Sequence, residues 1–387
     1  MPMGRAGSRL DFRLFRRSLC DSGSTGFGAQ FDELAMPDSS RHEDDPEKTR
    51  FSFEVPDGAS EELQAKVEAL RQPSSYPGDA RSIETVETHM SWVFLTEFHA
   101  YKLKKPIRTR WLDHTTIDAR KSACETELEL NRRLAPDVYL AVVPVVDSDR
   151  GLRVEADGEP VDWLVKMRRL PEERMLDACI EHGEVREAEV DAVASVLSDF
   201  YERTESAPLP GTDYVRRLNS DIESKRKSLE QPRYRLASAD IRAVAEGLER
   251  WADEFREILE VRSSKVVDAH GDLRPEHVCL ESAPVIIDCL EFDRSLRLLD
   301  PVSELSFLAL ECERLGADWI GDHLLDAYRK STGDDFPPPL VRFYKSYHAL
   351  VRAAVAVWHL DDHALDHFDK WRKKGTRYLN LAPLAAS

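Results

Sequence analysis

The feature that most restricts what this chain can become is a pair of short apolar runs, "KVVDAHGDL" and "APVIIDCLEF", at 265–292. They sit inside a half of the sequence that otherwise has helical patterning. Apolar, β-branched residues lead each run toward an acid, Asp272 in the first and Asp288 in the second. Runs of this kind read as buried strands that carry carboxylates at their ends, and Gly271 permits a sharp backbone turn beside Asp272. Either acid alone reads most simply as the cap of a turn. Two of them close together, downstream of a β-rich region, match a pair of roles that phosphoryl transfer requires. One carboxylate orients the attacking hydroxyl and accepts its proton, and the other holds the metal that neutralises the nucleotide phosphates.

The rest of the chain divides around this pair. Residues 1–48 are rich in Gly, Ser, Arg and Asp and have little apolar surface, so the expectation is a disordered extension. The arginines there also suit an organellar transit peptide; an over-extended start, with Met36 as the initiator, is the favoured reading. From "SIETVETHMSWVFLTEFHAYKLKKP" onward the pattern turns to strands, ended by Pro106. "TTIDARKSACETELELNRRLAP" then predicts a helix, with Thr115 and Asp118 as its capping box and Pro136 beyond its end. "VYLAVVPVV", "LRVEA" and "DWLVKMRRL" are linked by the turns "DSDRG" and "DGEP" into a strand meander. Beyond Pro171, helical periodicity marks segments near 185–206, 213–229, 237–260, 302–314, 316–331 and 338–360. The predicted class is α+β and bilobal. A small antiparallel β lobe with one helix spans 49–170, and a larger, mainly helical lobe that carries the two acids spans 171–387.

Composition excludes some functions. The formal charge of −18 argues against a nonspecific nucleic-acid binder. No apolar run approaches the roughly 20 residues that span a bilayer, so no membrane partner is expected. Six scattered cysteines with no Cys-x-x-Cys pair suggest reduced thiols and a cytoplasmic location. No Gly-xxxx-Gly-Lys-Ser/Thr phosphate loop occurs in the sequence.

"HGDLRPEH" followed by "VIIDCLEFD" resembles the catalytic and metal-binding segments of the aminoglycoside phosphotransferase and choline kinase superfamily, which has a protein-kinase-like fold. "VETHMSWVFLTEFHAYKLKKP", "ELELNRRLAPDVYLAVVPV" and "VKMRRLP" bring the chain close to a poorly characterised bacterial branch of that family. The resemblance covers about residues 80–360. It implies an ATP-dependent kinase that uses Mg2+ and phosphorylates a hydroxyl of a small molecule. Asp272 would be the catalytic base, Asp288 the principal metal ligand, and Lys102 the lysine on the nucleotide phosphates. The segment around Met167 would receive the adenine. Ser91 and nearby amides would stand in for the glycine-rich loop, since "ETHMSWV" has no glycine.

Periodicity supports part of this assignment. Strand alternation places Lys102 and Lys104 on one face, and family spacing selects Lys102; Lys104 and Lys105 have a competing reading as a solvated edge. On the helix, Cys124, Leu128, Asn131 and Ala135 form a stripe that includes Glu127, with Glu125 and Glu129 opposite. A glutamate on a packed face needs a cation, so Glu127 is expected to pair with Lys102.

The family pattern has an asparagine where this chain has His277. Imidazole suits transition metals better than magnesium. Either Asp288 therefore carries most of the metal binding, or His277 orients water or phosphate, or His277 is a metal ligand that shifts preference toward Mn2+, or it marks a nucleotide-binding protein without catalysis. Arg274 stands where protein kinases carry a lysine that touches the transferred phosphate, which favours retained activity. A protein kinase is a further alternative, weakened by the lack of an activation segment. His270, Asp300 and Glu304 are expected to be scaffold, while Glu291 and Asp293 support the metal site or cap a turn. His359, His363 and His367 share helical spacing but are expected to lie on a solvated face. Asp361, Asp362 and Asp366 are candidates for holding a cationic acceptor. The sequence does not determine the acceptor or the oligomeric state.

Overall fold

The computed structural model describes residues 56–386, apart from 57, 79, 110, 111 and 363–367. The expected disorder of 1–48 and the choice of Met36 as initiator lie outside these residues.

Helix α1 (Ala59–Leu70) precedes the sheet and was not anticipated. Six strands follow: β1 (Glu84–Glu87), β2 (Ser91–Leu95), β3 (His99–Lys104), β4 (Tyr139–Ser148), β5 (Gly151–Val154) and β6 (Pro160–Arg168). They form one antiparallel sheet in the order β1-β2-β3-β6-β4-β5. Helix α2 (Ile117–Asn131) separates β3 from β4. Strand alternation sorts the side chains to two faces. Tyr101, Leu103 and Leu164 pack with Val67 and Leu70 of α1. Ala100, Val165 and Met167 pack with Cys124 of α2, which leaves Lys102 and Lys104 on the α2 side. The N-cap of α2 is Thr116, whose hydroxyl accepts from the Ala119 amide at 3.2 Å. This corrects the expected capping box at Thr115, which bonds to Asp113 instead.

The second half is helical, as expected: α3 (Leu176–His182), α4 (Glu187–Arg203), α5 (Gly211–Leu229), α6 (Ser238–Glu254) and α7 (Arg256–Arg262) come first. Strands β7 (Val267–Asp268), β8 (Val278–Cys279) and β9 (Val285–Ile286) interrupt them, then the short α8 (Arg294–Arg297) and β10 (Leu298–Leu299). The chain continues through α9 (Pro301–Arg314), α10 (Asp318–Thr332), α11 (Pro338–Asp362) and α12 (Phe368–Leu381). The single helix expected over 237–260 is broken at Phe255, whose backbone leaves the helical region. The two acid-ended runs do not pair with each other. β7 pairs with β10 and β8 with β9, so each run contributes only two residues to a ladder and its acid lies beyond it. No helix among the described residues is long and apolar enough to cross a membrane.

A buried ion cluster ties α7 to α9 and the end of α10. Arg262 meets Asp300 at 2.5 Å and Asp334 at 2.7 Å. Asp300 also caps α9 through the Val302 amide and accepts from the Tyr344 hydroxyl at 2.8 Å. Removing one member of a buried pair strands the opposite charge. Arg262→Met is therefore expected to cost roughly 3–5 kcal/mol, read from the urea midpoint at unchanged m-value. A loss below about 1 kcal/mol would show that water compensates the two acids.

Candidate active site

The loop that carries Asp272 is held from behind by Glu304 on α9. Its carboxylate accepts from the His270 amide at 3.0 Å, from the Gly271 amide at 2.6 Å and from the Tyr201 hydroxyl at 2.7 Å. Gly271 has φ 88°, and a Cβ there would meet Leu290 at 2.9 Å and Arg297 at 3.1 Å, so only glycine fits the turn. His270 Nε2 lies 2.9 Å from the Ile287 carbonyl, which only accepts, so Nε2 carries the proton. Its Nδ1 then accepts from the Asp272 amide at 3.3 Å. Burial, then the neighbouring His277, pushes the His270 pKa down to about 3, so the ring is neutral and structural.

Asp288 follows β9 in the left-handed region, with φ 63°. Aspartate tolerates this better than bulkier residues. The Asp288 amide donates to the Tyr139 hydroxyl at 3.1 Å, and the Cys289 amide to Asn131 Oδ1 at 2.9 Å. Asn131 in turn donates to the Glu127 carbonyl at 2.9 Å. Arg133, just beyond α2, donates to the carbonyls of Asp268 at 2.8 Å and Ala269 at 2.9 Å. The end of α2 thus anchors both acid-bearing segments. Sequence reasoning did not assign these roles to Tyr139, Asn131 or Arg133. For Asn131 a signal existed: an amide one turn after Glu127 on the buried stripe.

Glu127 is fully buried and divides its carboxylate between two lysines. Oε1 accepts from Lys102 Nζ at 2.8 Å and Oε2 from Lys104 Nζ at 2.7 Å. Lys102 reaches on to Asp288 Oδ1 at 2.9 Å, and Lys104 to Glu291 Oε1 at 2.6 Å. Burial disfavours every charge in this chain, but the alternation of sign outweighs it. Lys102 is held well above the usual lysine range by Asp288 and Glu127, while Glu127 is held low by Lys102 and Lys104. Asp288 stays well below the carboxylate range, chiefly through Lys102. The solvated-edge reading of Lys104 and Lys105 is overturned, since both are buried. Lys105 pairs with Glu87 at 2.8 Å and ties β1 to the end of β3. Glu125 and Glu129 are exposed.

His277 lies between the two acids. Its Nδ1 is 2.8 Å from the Asp272 carbonyl, which makes Nδ1 the protonated nitrogen, and its Nε2 lies 3.6 Å from Asp288 Oδ2. Asp272 is buried, and burial pushes its carboxyl up. Asp272 Oδ2 has no hydrogen-bond partner; Arg274 Nη1 stands 3.8 Å away and His277 Nδ1 3.5 Å. Arg274 is also buried and pairs with Glu276 at 3.1 Å. Among the described residues no group of three or more His, Cys, Asp or Glu side chains forms a metal cage. Asp288 offers an oxygen donor of the kind Mg2+ takes, whereas the His277 imidazole suits a transition metal better.

Met167 lies in β6, opposite Ala100 on one side and Tyr139 on the other, within the apolar cluster that α2 covers. Ser91 begins β2 and is buried. Its amide donates to Thr88 Oγ1 at 3.0 Å, closing the glycine-free turn. Asp293 caps α8 through the Ser295 amide at 2.7 Å. His359 is buried rather than solvated. His363, His367 and Asp366, and the side chains of Asp361 and Asp362, lie outside the described residues.

No family model matches the chain. Uncharacterised proteins of Mycobacterium tuberculosis and Mycobacterium bovis are 34% identical over 289 residues, which is 72% of this chain and 55% of theirs. The chain thus spans about half the length of the curated relatives it matches. A choline/ethanolamine kinase family protein from Mesorhizobium loti superposes with a TM-score of 0.52 at 15% identity, over 85% of this chain and 95% of that one. Choline kinase LicA from Streptococcus pneumoniae gives a TM-score of 0.48 at 15% identity, over 83% and 98%. The first of these structures establishes the fold as the bilobal, kinase-like one.

The shared carboxylate predicts a contrast between two glutamates of one helix. Glu127→Gln leaves two buried ammonium groups short of charge and is expected to cost roughly 3–5 kcal/mol. Glu125→Gln, on the exposed face, should stay within about 0.5 kcal/mol of wild type. Equal melting temperatures for the two variants would remove Glu127 from its central place.

Proposed function

We propose that this chain, which has the protein-kinase-like fold of choline kinases and aminoglycoside phosphotransferases, transfers the γ-phosphoryl group of ATP to a hydroxyl of a small molecule. The observation that carries this reading is the opposite treatment of two neighbouring carboxylates. Asp288 is kept ionised by Lys102, whereas Asp272 is pushed up by burial and keeps one oxygen without a hydrogen bond. Environments that drive two acids apart in this way separate a metal ligand from a proton acceptor.

In this reading residues 49–170 form the nucleotide-binding lobe and 171–387 the lobe with the catalytic and metal-binding loops. Lys102, aimed by Glu127, holds the nucleotide phosphates, the turn before Ser91 covers them, and the segment around Met167 receives the adenine. Asp288 and His277 would hold Mg2+, or Mn2+, which when bound neutralises phosphate charge. The tautomer supports this, because Nδ1 is engaged with a carbonyl and Nε2 offers its lone pair toward Asp288. Asp272 orients the acceptor hydroxyl and takes its proton as the new oxygen–phosphorus bond forms. The bond from the γ-phosphorus to the bridging oxygen breaks, and ADP departs. Arg274 keeps positive charge beside the base. Five described cysteines are unpaired, in keeping with a reducing, cytoplasmic setting.

A second reading, nucleotide binding without transfer, is favoured by one observation: His277 stands where the family pattern has asparagine. Two substitutions separate the readings. Asp272→Asn should keep metal-dependent ATP binding while losing at least about 100-fold in transfer, the lower range for a general base. Asp288→Asn preserves the left-handed backbone and should lose the metal dependence of ATP binding. Full transfer by Asp272→Asn would sink the mechanism. A wild-type protein that binds ATP and phosphorylates nothing in a broad metabolite extract would establish the second reading.

His277 supplies its own test. His277→Asn should shift metal preference from Mn2+ toward Mg2+ and retain transfer, and His277→Ala should weaken metal affinity. The measurement is ATP binding titrated with each ion; identical curves for all three proteins would make His277 structural.

A further inference from the structure

Beside Asp272 and Gly271 a cavity opens between α9, α11 and the 290–299 segment. Much of its wall is apolar, including Leu290, Leu299, Phe307 and Val351. Two of its polar side chains bring no net charge. The Tyr347 hydroxyl is given to Asp221 at 2.7 Å, itself paired with Lys225 at 3.0 Å. His348 bonds Ser303 at 3.0 Å and stacks on Phe307 at 4.8 Å; burial pushes its pKa down to about 3, so it is neutral.

Two further polar groups are cations whose charge is poorly matched. Arg352 is 4% exposed and donates no hydrogen bond among the described residues. Its nearest carboxylate oxygen is Glu311 Oε1, 3.5 Å from Nε. Glu311 already accepts from Tyr378 at 2.9 Å and from Arg314 at 2.6 Å. Arg217 gives one N–H to the Ser295 carbonyl at 2.7 Å and pairs with no carboxylate among the described residues. Asp272 is the one acid on the described wall, and it faces Arg274 at 3.8 Å. A buried guanidinium left without its hydrogen bonds is costly unless something else supplies an anion. Its planar fork suits carboxylate or phosphate.

We propose that the acceptor is itself an anion, a hydroxyl compound with a largely apolar body that carries a carboxylate or phosphate group bound by Arg352 and Arg217. The proposal rests on the reading of this site as a phosphotransferase. A cationic acceptor would meet two guanidiniums, with the catalytic base as its sole counter-charge. The net charge of −18 belongs to the whole chain and does not describe this cavity.

The test uses the full chain with ATP and Mg2+. A bacterial metabolite extract is split by ion exchange at neutral pH into anionic, neutral and cationic pools. Labelled phosphate transferred from ATP is followed in each pool, and the product is identified by mass, which distinguishes a carboxylate from a phosphate acceptor. The product is expected from the anionic pool. For that acceptor, Arg352→Gln should raise KM at least ten-fold with a smaller change in kcat and an unchanged KM for ATP. Arg352→Lys should recover part of the loss. Arg217→Gln, nearer the surface, should move KM in the same direction even if Arg352→Gln does not fold. Product from only the cationic or neutral pool overturns this inference and leaves the phosphotransferase reading standing, while no product from any pool overturns both. An anionic acceptor whose KM is unchanged in Arg217→Gln and in each Arg352 variant that folds also overturns it.

Discussion

Glu127 is where the two halves of the molecule become one site. Its buried carboxylate binds two lysines of β3, and each lysine continues to an acid of the other lobe, Lys102 to Asp288 and Lys104 to Glu291. No member of this chain is affordable alone, because desolvation would drive each toward its neutral form. Together the alternating charges keep one another ionised. The side chain that binds nucleotide phosphates in the proposed function is thereby held against the side chain that binds metal.

The second support is polar as well, but works through the backbone. Glu304 draws in the amides of His270 and Gly271, and the His270 ring reaches across to the Ile287 carbonyl. The two acid-bearing segments are joined by this ring and by the Leu290 amide, which donates to the His270 carbonyl at 3.1 Å, and not by a strand ladder. The tight turn at Gly271 and the left-handed Asp288 then direct their carboxylates toward His277 from either side. Rigid placement of this kind is what a phosphoryl-transfer site needs, since positioning and electrostatics supply most of its catalysis.

The same physics explains the contrast with the cavity beside Asp272. In the ion chain around Glu127 each lysine lies between two carboxylates, so both cations are matched without ligand. The Arg352 guanidinium has its nearest carboxylate shared with Tyr378 and Arg314 and gains no hydrogen bond from it. An unbalanced buried charge in a cavity says more about a ligand than a satisfied one does.

Local sequence determined the elements. Alternation in "HAYKLKK" separated Lys102 and Lys104 from Tyr101 and Leu103, and the 3.6-residue period placed Glu127 on the packed face with Glu125 and Glu129 in solvent. Helices α4, α5 and α10 were legible for the same reason, because each buries one stripe, while α9 and much of α11 are buried nearly all round. Helices α12 and α1 were not legible, since their buried stripes include non-apolar positions: Gly375 among Trp371, Tyr378 and Leu379 in α12, and Lys66 beside Val67 and Leu70 in α1. Apart from the expected Lys102–Glu127 pair, tertiary structure decided which cations are paired. Lys105 looked like a solvated edge until β1 brought Glu87 to it, and the sequence singled out nothing at Arg352, which α9 and the Asp272 loop enclose. Periodicity reports which face of an element is buried. The partner waiting on that face comes from residues far away in the chain, and so does the difference between a satisfied charge and one left for a ligand.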